Sequence, residues 1–166
     1  MKKIILALSI TWLSSVSFAQ SKPTFTYDVS GSSGTYNDRS YTEIHLGLNW
    51  NMTEWFNWRN SVFTQFGSDL NTVWGLDTTG LFRTEFYTQG RDLGIEFFAG
   101  PGLRLANEKS SAALGTAGIT LALGGLRIGG GATYLNYFET RQDKLDQDLP
   151  KDEVQYFITL SGGGSF

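Results

Sequence analysis

The feature that most constrains this chain is a two-residue alternation of apolar and other side chains, kept up over segments of about ten residues. From Val154 onward, Val154, Tyr156, Ile158, Leu160, Gly162, Gly164 and Phe166 fall on one face. Gln155, Phe157, Thr159, Ser161, Gly163 and Ser165 fall on the other. A period of two belongs to a β-strand whose two sides meet different surroundings. The segments ending at Leu123 and beginning at Leu126 repeat it, joined by Gly124-Gly125. A two-residue hairpin sets Leu123 opposite Leu126 on one face, which agrees with the apolar set of each strand. Five further segments follow: Thr24 to Ser30, Tyr41 to Trp50, Trp55 to Phe66, Val73 to Thr84 and, interrupted by Pro101, Ile95 to Leu105. The expected fold is all-β, an eight-stranded antiparallel up-and-down transmembrane barrel.

Two features place those strands in a membrane. Met1-Lys2-Lys3, the apolar stretch Ile4 to Leu13 and the small residues Ser17 and Ala19 form an export signal, cleaved near Ala19. Residues 20–166 are then one barrel domain. Loss of Lys2 and Lys3 takes the 13 bases to 11 against 16 acids, a net charge of −5. No later segment is apolar for the roughly 20 residues a membrane helix needs, whereas a membrane strand needs only about 9–11. The absence of cysteine excludes a disulfide scaffold and a thiolate zinc site. With charged residues at 17% and no basic patch, nucleic acid is not an expected partner.

The alternating last strand that finishes in Phe166 resembles that of the small outer-membrane β-barrels of the OmpA/OmpX type. The resemblance implies a bacterial outer-membrane location, a monomer surrounded by outer-membrane lipids and lipopolysaccharide, and no cofactor. It also implies that Tyr156, Ile158, Leu160 and Phe166 are read by the barrel-assembly machinery. Deleting Phe166 is then expected to lower the amount of assembled barrel. The connections are expected to alternate, with short periplasmic turns at Asn51 to Glu54 and Gly124-Gly125. Longer outer loops are expected at Gly31 to Ser40, Gly67 to Thr72, Ala106 to Ser111 and Phe138 to Asp152. Glu85 to Leu93 is a longer turn on the periplasmic side. Trp50, Trp55 and Trp58 would form one interfacial girdle, and Trp74, Tyr134 and Tyr137 the other.

Inside so small a barrel, side chains fill the lumen. The inward faces carry Asp28, Glu43, Asp77 and Glu96 against Arg59, Arg83, Arg104 and Arg127, with His45 beside them. Strand directions bring Arg83 next to Glu96 as its nearest base, and Asp77 next to Arg104. This predicts a salt-bridged lumen. His45 is the only histidine, so any acid–base triad must use it. The outer-membrane lipid A deacylases, also small barrels, use a His-x-Ser pair; this chain has Gly47 where that serine would stand, and no serine shares the local motif. No catalytic residue is expected. The acids of Phe138 to Asp152 lack the spacing of a calcium loop and read as a solvated, mobile loop with no metal. The function so implied is a non-enzymatic structural or surface-interaction barrel. A narrow small-solute pore and a lipid A-modifying enzyme are the alternatives.

Overall fold

A computed structural model describes residues 25–36, 39–67, 70–88, 93–123 and 126–163. The export signal and Phe166 lie outside these residues. The chain forms β1 (Phe25–Tyr36), β2 (Arg39–Asn51), β3 (Phe56–Phe66), β4 (Val73–Tyr87), β5 (Leu93–Ala106), β6 (Ala112–Leu123), β7 (Leu126–Tyr137) and β8 (Asp152–Gly163). Each strand pairs antiparallel with its neighbours in sequence, and β1 pairs with β8 from Thr26↔Gly163 to Ser33↔Tyr156. The sheet therefore closes on itself without an edge at that seam. Closure lets a sheet cross lipid, because no strand edge is left facing hydrocarbon.

Alternation sorts the side chains as expected. Ile44, Leu46 and Leu48 on β2, Leu103 and Leu105 on β5, and Ile158 and Leu160 on β8 are all exposed on the outer wall. Asp28, Glu43, His45, Asp77 and Arg104 are buried inside. An apolar exterior around a charged interior inverts the pattern of a water-soluble protein and suits a lipid surround. The strand ends at Asn51 and Phe56, Tyr87 and Leu93, and Leu123 and Leu126 mark one end of the barrel, called lower here, and the expected turn Gly124-Gly125 lies outside the described residues. The connections at 67–72, 107–111 and 138–151 mark the upper end.

Several boundaries differ from the sequence expectation. Residues expected in the loop Gly31 to Ser40 are strand on both sides, with β1 running to Tyr36 and β2 starting at Arg39. The outward residues here are Gly31, Ser33, Thr35, Ser40 and Thr42, so no apolar face announces the strand. Likewise Glu85, Phe86 and Tyr87 belong to β4, and the turn expected at Glu85 to Leu93 shrinks to 88–92. Tyr137 does not join an outer girdle. It is fully buried in the upper lumen with Ala112, Leu114 and Leu135, whereas Trp74 is 65% exposed on the wall. At the lower end Trp50 and Trp58 lie opposite each other with rings 4.9 Å apart, and Trp55 stacks on Phe82 at 6.0 Å.

The β5–β6 connection holds Glu108 and Lys109 at φ of 51° and 56°. This left-handed conformation costs an L-residue roughly 1–2 kcal/mol. Lys109→Gly is accordingly expected to raise unfolding stability by about 1 kcal/mol, read from urea titration in detergent micelles.

Candidate functional site

The lumen is ordered in tiers, each built from inward positions of several strands. Lowest are Arg83 and Glu85 of β4, Glu96 of β5 and Arg127 of β7. Arg127 reaches Glu96 at 3.0 Å and Glu85 at 3.1 Å, and also donates to the Tyr87 hydroxyl at 2.6 Å. Arg83 stands 3.3 Å from Glu85 and 3.6 Å from Glu96, and donates to the Glu54 carbonyl at 3.1 Å. The nearest base to Glu96 is therefore Arg127, not Arg83, because Glu85 lies directly across the ladder from Glu96 and draws both arginines. On the other side of the lumen Arg59 grips Asp28 through Nη2 at 2.7 Å and Nε at 3.0 Å. Asn49 adds a bond to the same carboxylate at 2.7 Å.

Above them lies the most enclosed ion cluster of the lumen. Arg104, 1% exposed, donates to both oxygens of Asp77 at 2.8 and 2.9 Å and to both of Glu43 at 3.0 Å. Its guanidinium lies 3.9 Å above the Phe63 ring. The planar fork of arginine fits two carboxylates at once, and a lysine could not make these four bonds. His45 stacks on the same Phe63 ring. The Asp77–Arg104 contact expected from strand direction is a direct ladder pair.

The uppermost tier was not anticipated. Glu153 accepts from the hydroxyls of Tyr41 and Tyr137 and from the Gln155 amide. Arg141 approaches it at 3.4 Å and lies 3.2 Å above the Tyr137 ring. Arg141 and Asp143 come from the last upper connection, which the sequence suggested was solvated and mobile. Both are buried, and Gln142 and Asp148 form a β-bridge across that hairpin. The Asp143 carboxylate accepts from the backbone N–H groups of Leu145 and Gln147, which fixes the turn. Leu70 and Leu149 close over Tyr41.

A serine does stand beside His45, contrary to expectation. Ser32 of β1 places Oγ 3.3 Å from His45 Nε2. The sequence hides this because the neighbour belongs to another strand. The same nitrogen is 3.1 Å from Glu43 Oε2, and Nδ1 is 3.7 Å from Asp77. A nucleophilic serine needs a histidine nitrogen at liberty to take its proton, and here Glu43 competes for it. His45→Ala is expected to leave lipid A composition unchanged in cells carrying the protein. Loss of a modification that the wild type performs would contradict this.

No protein-family model and no curated protein sequence matches the chain. A search of solved structures finds the crystal structure of Neisserial surface protein A (NspA), with a TM-score of 0.59 over 87% of this chain and 98% of that one. The fold is that of a small outer-membrane barrel. At 7% identity the likeness is one of architecture alone.

Proposed function

We propose that this protein is a non-enzymatic, integral barrel of the bacterial outer membrane with a structural or surface-interaction role. The observation carrying this reading is the enclosure of the upper lumen. Arg104, Glu43, Gln155 and Tyr137 are at most 1% exposed and stand in successive tiers across it. A narrow pore needs a continuous wet path, and these groups occupy it. A lipid A-modifying enzyme needs its base beside acyl chains, whereas His45 points inward. The likeness to a barrel named a surface protein supports display at the cell surface. The partners on this reading are outer-membrane phospholipid and lipopolysaccharide around the apolar wall, and the assembly machinery during biogenesis.

The absence of native cysteine makes topology directly testable. Leu145 in the upper hairpin and Met52 in a lower turn are 62% and 56% exposed. Leu145→Cys is expected to react with a membrane-impermeant maleimide on intact cells, and Met52→Cys only after permeabilisation. Equal labelling of both, or recovery in the soluble fraction, would contradict the reading.

A further inference from the structure

Below the Arg104 tier the lumen opens into a cavity of about 110 Å³. Its upper end is shut by buried groups, while exposure of the inward side chains rises to 19% at Arg59 and 26% at Arg127. The cavity is a blind cup facing the lower end. One part of its wall is aromatic, formed by Phe98 and Phe157 with ring centres 6.2 Å apart. The rest is rich in hydroxyls, among them Thr26, Thr79, Thr120, Thr159 and Ser161.

Two polar atoms of this lining are left over. His45 Nδ1 and Asn57 Oδ1 are buried and make no hydrogen bond, in residues only 6% and 8% exposed. A buried polar atom without a partner is destabilising, and a ligand that supplies the missing hydrogen bond relieves it. The charges of the lining, by contrast, are already engaged: Asp28 with Arg59, Asp77 with Arg104, and Glu96 with Arg127.

We propose that this cup binds a small neutral polyol entering from the periplasmic side. Its hydroxyls would donate to Asn57 Oδ1, at the open end of the cup. Its C–H faces would lie against Phe98 and Phe157, a combination of apolar wall and few polar anchors typical of small-molecule sites. A charged ligand would have to break an existing ion pair. The cavity is somewhat smaller than the roughly 150 Å³ that accommodates a benzene ring, which suits three or four carbons and is too small to enclose a disaccharide.

The test is NMR titration of the folded protein in detergent micelles with glycerol, erythritol, glycerol 3-phosphate and sucrose. Glycerol and erythritol are expected to give saturable shifts at the Asn57 amide, and sucrose none. Asn57→Leu and Thr120→Phe should each weaken the effect at least tenfold, with heat-modifiable migration on gels confirming that both variants fold. Should one fail to fold, the other decides. Linear, non-saturating shifts, equal binding by the variants, or tighter binding of sucrose or glycerol 3-phosphate would overturn the proposal. So would exchangeable water in the cavity that glycerol does not displace.

Discussion

Replacing Arg104 with methionine is expected to lower unfolding stability by about 3–5 kcal/mol, the usual effect of removing one partner from a buried ion cluster. The loss arises because Glu43 and Asp77, 0% and 5% exposed, would be left buried without the guanidinium that holds both. Neutralising them should restore most of it. The triple variant Arg104→Met, Glu43→Gln, Asp77→Asn removes the charges together, and buried ion clusters replaced by neutral groups of similar volume are often no less stable. Urea unfolding in detergent micelles reads both. A single variant as stable as wild type would mean that water already solvates this tier.

The second large effect is expected at Gly100. The β4–β5 ladder is unpaired between Thr79↔Gly102 and Phe82↔Ala99, where Pro101 lacks the N–H needed to continue it. At this gap a Cβ on Gly100 would lie 1.8 Å from the Gly80 carbonyl oxygen. Backbone cannot rotate away as a side chain can. Gly100→Ala should therefore cost about 3 kcal/mol, the upper end of ordinary overpacking, and reduce the heat-modifiable folded band. Gly115→Ala is the matched control, because a Cβ there meets no heavy atom within 4 Å. Equal loss in both variants would point to backbone flexibility as the cause.

These effects follow from packing between strands, and they divide what the sequence discloses from what it hides. Inward and outward positions were legible because a barrel with an apolar wall and a polar lumen enforces alternation along each strand. Glu85 and Glu153 share the inward parity of Arg83 and Gln155. Extending each alternating run past its last apolar residue would have found them. Arg141 carries no such signal. It belongs to a connecting hairpin, and only the fold of that hairpin brings it over Tyr137. The Ser32–His45 contact was hidden for a related reason, since register between β1 and β2 is a property of the pair and not of either segment.

A lumen closed by paired side chains is most directly tested by single-channel recording of the refolded protein in planar bilayers. The barrel should insert and remain electrically silent across the usual voltage range, with Arg104→Met and the triple variant recorded beside it to show whether the central tier holds the seal. Stable, ion-selective conductance steps from the wild type would contradict the closed lumen and make the protein a pore.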